Sequence, residues 1–500
     1  MFNFNVLGFS IATVLFSQGL YASSMVDLTD DELSKVQGQA LMSLSYISPV
    51  DTKNLESTRS GSSKDIGFYK LGMEAEIELN ANIKKLQLGC GGVNGIGDCD
   101  IDIDNLSLSG LKVDSNGKPV AMTNEERAAS SAKLTNPFIE FAVKNPESSS
   151  VRQVVGFRLS AEKAIGLLTA GTENSSSPNG INTISGYMKV QSDSSGIIKG
   201  YATTAATRDN LYGTYLNPND LVITGTLQAL GLGGAAEADF KTSAGGFNIP
   251  QINNNYFEIP AILVNETRAK SKVLSAPVKV PNIYVGGPNN ANYPVNGAVQ
   301  YNSSGPHDPA YQEPTGIYTQ GGVVEATVTA CRWFACLLAS EGKKFPNVYM
   351  NGQISNITAN LNLNQSLGLI HNLPINSPFS LSLQQQALQW PGAKSDDVAQ
   401  KGWWMSFADP VNIGYVIPQD PIDIAPLFPQ IASAVSYYLR AGGGNEAQTS
   451  DLRGLLGGES LTVNIGNIDL KDSALNLNIS NLKLTNQNFS FNCWGGLNAC

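Results

Sequence analysis

The 500-residue chain has little charge and almost no histidine. Charged residues make up 15% of it, against about 25% in ordinary soluble domains. The net charge is −10 and the pI is near 4.9, which excludes nucleic-acid binding through a basic surface. The two histidines, His307 (G-P-H-D-P) and His371 (L-I-H-N-L), read as a loop residue and a strand-end residue. There is no Cys-x-x-Cys pair, so a thiolate zinc cluster is disfavoured. No nucleophile elbow, His-Glu-x-x-His or phosphate-binding Gly-Lys-Ser/Thr loop occurs. Ser130-x-x-Lys133 and Ser160-x-x-Lys163 lack the companion boxes of penicillin-binding enzymes. The tract Gly231 to Gly246 is Gly/Ala-rich without a dinucleotide fingerprint. No catalytic residue and no resident cofactor is assigned.

Long apolar runs are also scarce. Val6 to Tyr21 is one, followed by the small residues Ala22-Ser23-Ser24. This reads as a secretory signal, cut after Ser24 or, alternatively, after Ala22. Met1 to Asn5 contain no Lys or Arg, which departs from the usual pattern. The next apolar stretch, Val323 to Ala339, is interrupted by Glu325 and Arg332, so no transmembrane helix is expected after signal cleavage.

Six cysteines fall into three close pairs: Cys90 with Cys99, Cys331 with Cys336, and Cys493 with Cys500. Even number and local pairing point to three short disulfides formed in an oxidising compartment. Each would remove roughly 2–3 kcal/mol of unfolded-chain entropy.

Polarity comes instead from Asn, Ser, Thr and Gly, set in alternating patterns. L-N-L-N-I-S-N-L-K-L (Leu475 to Leu484) matches L-N-A-N-I-K-K-L-Q-L (Leu79 to Leu88) at six of ten positions, and L-N-L-N-Q-S-L-G-L (Leu361 to Leu369) is a looser copy. Internal duplication and simple Leu/Asn bias both account for this. The period of two is that of a half-buried strand. It places Leu475, Leu477 and Ile479 on one side and Asn476, Asn478 and Ser480 on the other, with a bulge or bend at Ser480-Asn481. Ile101 to Val113, Ile354 to Leu363 and Leu461 to Leu470 alternate similarly.

The fold class expected is therefore mainly β, with antiparallel sheets and a few short helices. Helices are predicted at Asn124 to Lys133 and Pro429 to Arg440, the latter with Ile431, Val435, Tyr438 and Leu439 on one face. Lys144 to Ser150 reads as a loop and Leu221 to Leu232 as a buried hairpin. The organisation expected is a signal (1–24), an amphipathic mature N-terminal segment (25–45), a β-rich region with a helical insertion (46–280), a Pro/Gly/Asn-rich loop or linker (281–316) and a second β-rich region (317–500). The segments near 70–115 and 455–500 are expected to share a sheet and close one body.

Two groups carry candidate chemistry. Asp98, Asp100, Asp102 and Asp104 alternate along D-C-D-I-D-I-D-N, and on a strand they would project from one face about 7 Å apart. Such a row offers hard oxygens for Ca2+, although it departs from the helix-loop-helix calcium pattern. The other reading is a solvated acidic face. Trp403-Trp404 would form a sugar-stacking platform or, since neighbours on a strand face opposite ways, place one ring in the core. A hydrolase built on paired carboxylates leaves no local motif.

The phrase L-T-D-D-E-L-S-K-V-Q-G-Q-A, Leu28 to Ala40, follows the signal. It resembles the mature start of exported Gram-negative proteins associated with pili or fimbriae, including the pilus assembly proteins of the Fil system in Acinetobacter. Leu28, Asp30, Leu33, Ser34, Val36, Gly38 and Gln39 carry the likeness. The resemblance implies a surface or fimbrial setting with fimbrial or cell-surface partners, and no active site. A secreted carbohydrate-binding or carbohydrate-active protein and an outer-membrane β-barrel are the alternatives.

Overall fold

The computed structural model describes residues 42–487, apart from 96, 116–118, 173–176, 207–220, 230–234, 243–246, 287–296, 322, 459 and 474. The signal and the phrase at 28–40 lie outside the described residues. Strands dominate, as the alternation predicts, and Leu427–Arg440 is the one long helix among the described residues.

The largest sheet has thirteen strands. Its path runs Met42–Ile47, Ile66–Met73, Ala132–Lys144, Gln153–Thr169, Phe379–Gln384, Gly402–Phe407, Ile181–Gln191, Ile101–Ser109, Ala81–Leu88. Neighbours along it are antiparallel except where Gly402–Phe407 meets Ile181–Gln191 in parallel. That junction needs Gly186, because a Cβ there would lie 2.1 Å from the Met405 carbonyl oxygen. Ile101–Ser109 also pairs with the far end of Gln153–Thr169, so the path closes on itself. Arg127 seals this seam by donating to the hydroxyls of Ser107 and Thr169, each at 2.8 Å. It sits on the helix Asn124–Ala128, which Thr123 and Glu126 open with a capping box. The helix is shorter than predicted because a strand takes over at Ala132.

A second sheet of nine strands contains a closed six-stranded barrel. Its members are Val222–Ala229, Ala235–Thr242, Val323–Cys331, Lys344–Ser355, Leu461–Asp469 and Ala447–Thr449. Phe240, Val324, Val348, Met350 and Val463 fill the barrel. Thr226, Glu237, Asp239, Glu325, Thr462 and Asn464 alternate with them and reach towards solvent. Where a hairpin is expected at 221–232, the described part, Val222–Ala229, is one strand, whose antiparallel partner is Ala235–Thr242.

Among the described residues the end segments do not share a sheet. Residues 70–115 supply strands to the thirteen-stranded sheet, whereas Leu461–Asp469 belongs to the barrel sheet and Leu475–Ser480 to a three-stranded one. They do share an apolar core, which includes Ile101, Ile103, Val463 and Leu475. Two copies of the repeated phrase lie side by side: Leu475–Ser480 runs parallel to Thr358–Ser366, pairing Leu361 with Leu477 and Asn362 with Asn478. Leu475 and Leu477 are buried, Asn476 and Asn478 exposed. The Asn362 amide donates to Asn478 at 3.0 Å. The strand stops at Ser480, and Asn481 turns the chain at φ 54°.

The stretch 281–316 is not a bare linker. Asn282–Val285 and Val299–Tyr301 join the barrel sheet through Lys344–Ser355 and Pro314–Tyr318. The boundary drawn at 45/46 falls inside the strand Met42–Ile47. The helix Leu427–Arg440 buries Leu427, Phe428, Ile431, Ala432, Val435 and Leu439, close to the predicted face. No helix among the described residues is long and apolar enough to cross a membrane.

Of the three disulfides expected, two are present among the described residues. Cys90 is bonded to Cys99, and Cys331 to Cys336. Cys493 and Cys500, the third expected pair, both lie outside the described residues. The pairing of Cys500 with Cys493 therefore remains an expectation from sequence spacing alone.

Candidate docking face

One face of the thirteen-stranded sheet carries apolar side chains in register across six strands. One row reads Tyr46, Tyr69, Phe141, Phe157, Leu383, Trp403. The next reads Leu44, Leu71, Ile139, Leu159, Leu381, Met405. Met42 opposite Met73 begins a third. At standard spacings the grid is about 24 Å across and about 14 Å along the strands.

The face is open at one end. Leu44 is 76% exposed and Met42 57%. Tyr46, Leu71, Met73 and Phe141 are exposed too, and Tyr69, Ile139, Phe157 and Leu159 are half-buried. Towards Met405 the grid runs into the core. Tyr46 and Tyr69 stack with centroids 4.5 Å apart, and Phe141 and Phe157 lie 5.7 Å apart. Contiguous exposed apolar surface of this kind marks an interaction site.

The opposite face is covered over its inner strands, although Ser43 and Ser45 of the edge strand are exposed there. A loop carrying Leu388, Trp390 and Ala399 packs there on Ile66, Phe68, Val155 and Trp404. Buried Glu56, on the helix Leu55–Thr58, anchors that loop by accepting from the Gln389 N–H at 2.8 Å. Arg59 pairs with Glu56 at 2.7 Å and donates to the Ala387 carbonyl at 3.0 Å. Beneath the loop Arg158 is salt-bridged to buried Glu140. Burial pushes the Glu140 carboxyl upward, and Arg158 opposes this.

Among the described residues the sheet also ends on a bare edge: Met42–Ile47 (M-S-L-S-Y-I) pairs with Ile66–Met73 and with no other described strand. It holds no charge and no proline, the usual guards of an edge strand. Alternation in M-S-L-S-Y-I is a readable sequence signal, but alternation alone does not say that the apolar side stays uncovered.

The four aspartates are only partly brought together. Asp102 and Asp104 share a face, where Lys85 Nζ lies 2.6 Å and 2.9 Å from their oxygens and the Asn182 amide donates to both. Burial opposes ionisation of Asp102, but Lys85, Gln87 and Asn182 together hold its carboxyl below the usual range. Asp100 turns elsewhere, accepting from the Trp403 N–H at 3.0 Å and lying 3.6 Å from Arg268. Asp98 is 3.8 Å from Arg268. Protein cations thus occupy the positions beside these carboxylates. Among the described residues no three His, Cys, Asp or Glu side chains are grouped to hold a metal ion.

The tryptophans split as strand neighbours do. Trp404 is buried and donates to Asp397 at 3.1 Å, while Trp403 ends a row of the open face. His371 is buried at a strand start, 2.7 Å from the Ala170 carbonyl. His307 stacks on Tyr256 with centroids 3.6 Å apart and meets Glu313 at 2.9 Å. Tyr201, donating to Glu313 at 3.2 Å, adds to a loop-pinning cluster that no local motif announces. A cavity of about 70 Å³ lies among Ile252, Phe257, Val280, Leu361, Ile424 and Leu477; this is under half the volume, about 150 Å³, that holds benzene.

No family model matches the chain, and no curated protein or solved structure is significantly similar to it.

Proposed function

We propose that the chain is an exported, β-rich structural or adhesive protein associated with a fimbria at the surface of a Gram-negative bacterium. It attaches to fimbrial or other cell-surface proteins through the open face and bare edge of its large sheet. The observation that carries this reading is the apolar grid from exposed Tyr46 and Leu44 to half-buried Phe157 and Leu159, on one side of a sheet whose inner strands are covered on the other side by the loop at 388–399. Main-chain groups of an open edge and apolar side chains beside it are what strand-adding partners use. The local disulfides and the Leu28 to Gln39 phrase support export and a fimbrial setting.

The alternatives draw less support. A sugar platform would need both Trp403 and Trp404 turned to solvent, and Trp404 is buried. A membrane-spanning barrel carries its apolar side chains outward; the six-stranded barrel carries them inward.

Deletion of the gene tests the proposal. Surface fibres, adhesion and biofilm should fall and return on complementation; unchanged values for all three would contradict it. The mature protein should also begin near Met25 and carry no free thiol when analysed intact by mass spectrometry, with Cys493 and Cys500 joined to each other.

A further inference from the structure

The chain itself supplies a neighbour for the open face. Residues 25–41 lie outside the described residues and lead directly into Met42, where the edge strand Met42–Ile47 begins at the exposed end of the grid. Their sequence carries the start signals of a short amphipathic helix. Thr29 and Glu32 have the spacing of a capping box, and Leu28 and Leu33 that of the hydrophobic staple beside it. Val36 lies one turn beyond Leu33, so Leu28, Leu33 and Val36 make one apolar side. Asp31 and Lys35, an acid four residues before a base, fall on the other. Gly38 suits the end of the helix and a reversal of the chain.

Reach and attachment select the grid as the seat of this segment. A helix over residues 30–37 would be about 12 Å long, against about 14 Å for the grid along its strands. The four residues 38–41 extend at most about 14 Å, so the helix stays near Met42. The apolar side chains exposed at that corner are Met42, Leu44, Leu71 and Met73. A tether this short gives an effective concentration on the order of millimolar, so contacts too weak to hold a separate protein keep the segment seated. The edge strand holds no charge, and the charged side of the segment would point away from it.

We propose that residues 25–41 are the resident cover of the open face, with Leu28, Leu33 and Val36 seated on Met42, Leu44, Leu71 and Met73, and that a surface partner binds by displacing them. The displacement rests on the docking reading; the cover does not. Such a cover guards an uncharged edge against pairing with other chains. It also lowers the apparent affinity for a partner by the fraction of time the face is open.

Hydrogen exchange of the full mature chain, read by mass spectrometry, tests the cover. Amides of residues 30–37 should exchange at least about tenfold more slowly than in a Leu44→Ser/Leu71→Ser variant. Sedimentation with surface fibres tests the displacement. A Leu33→Ser/Val36→Ser variant should bind about tenfold more tightly than the parent, the gain from a face otherwise open a tenth of the time. Circular dichroism confirms folding of both variants before each assay. Exchange in 30–37 as fast as in a free peptide overturns the proposal. Protection that survives Leu44→Ser/Leu71→Ser would seat the segment elsewhere, and protection that grows with protein concentration would seat it on a second copy; either overturns it too. Equal fibre binding by the parent and Leu33→Ser/Val36→Ser removes the displacement. A protected segment with no fibre binding by either protein would sink the docking reading and the displacement, and leave the cover standing.

Discussion

The Gln430 side chain pairs with both polar groups of Asn476: its carbonyl accepts the Asn476 N–H at 2.8 Å, and its amide donates to the Asn476 carbonyl at 2.9 Å. A glutamine on the long helix thus takes the place of a neighbouring strand at Leu475–Ser480. Gln365 does the same for Leu482, accepting at 2.9 Å and donating at 3.2 Å. These edge contacts contrast with Met42–Ile47, where the sheet path stops without a further strand among the described residues.

Removing that pairing should be measurable. Gln430→Ala should lower stability by about 1–2 kcal/mol, the sum of two ordinary hydrogen bonds. Gln430→Glu, which keeps an acceptor but places a carboxylate against the Asn476 carbonyl, should lose at least as much. Denaturant midpoints check both, and unchanged midpoints would show that the two contacts contribute nothing net.

The buried pair under the 385–400 loop gives a larger effect. Arg158→Met leaves Glu140 buried without its guanidinium and should cost about 3–5 kcal/mol. Adding Glu140→Leu should recover most of that loss. Burial already pushes the Glu140 carboxyl upward, and without Arg158 it rises further. A carboxyl whose native pKa is raised takes up a proton in the native state first, so acidification favours folding. The deficit of Arg158→Met should therefore shrink as pH falls, and denaturation at several pH values reads this directly.

Alkaline pH should act through tyrosines. Burial, with help from Asp396 and Asp397, pushes the Tyr187 phenol up to about 12. Burial also raises Tyr201, aided by Glu313, and Tyr256, aided by Glu258. Unfolded phenols ionise near 10. Between about 10 and 12 the unfolded chain therefore binds fewer protons, and stability falls as pH rises. Tyr187→Phe should make that decline shallower, as followed by unfolding free energy against pH. An unaltered slope would remove Tyr187 from the account.

What the sequence made legible follows from how far each feature depends on distant chain. The alternation L-N-L-N-I-S is a local property, and it correctly sends Leu475 and Leu477 inward and Asn476 and Asn478 outward. The Trp403-Trp404 split is equally local. Which ring is covered is not, because the loop over Trp404 is held by Glu56, far away in the chain. The close cysteine spacings at Cys90 and Cys331 are local too, and both bridges form. The aspartate row is legible in the sequence, but Lys85 reaches it only through antiparallel pairing of Ala81–Leu88 with Ile101–Ser109. Among the described residues the two end segments do not form the expected shared sheet for the same reason: each has a different partner strand, and strand partners are chosen by topology rather than local pattern. The open face is not legible in the sequence because a half-covered sheet and a fully covered one can have the same alternation.

Co-sedimentation with sheared surface fibres tests the central claim most directly. The mature chain should pellet with fibres from cells lacking its own gene. A Leu44→Lys/Leu71→Lys/Phe141→Lys variant, with charges placed on the open face and its fold checked by circular dichroism, should bind at least about tenfold less. Equal pelleting of the two proteins would contradict the assignment of this face as the attachment surface.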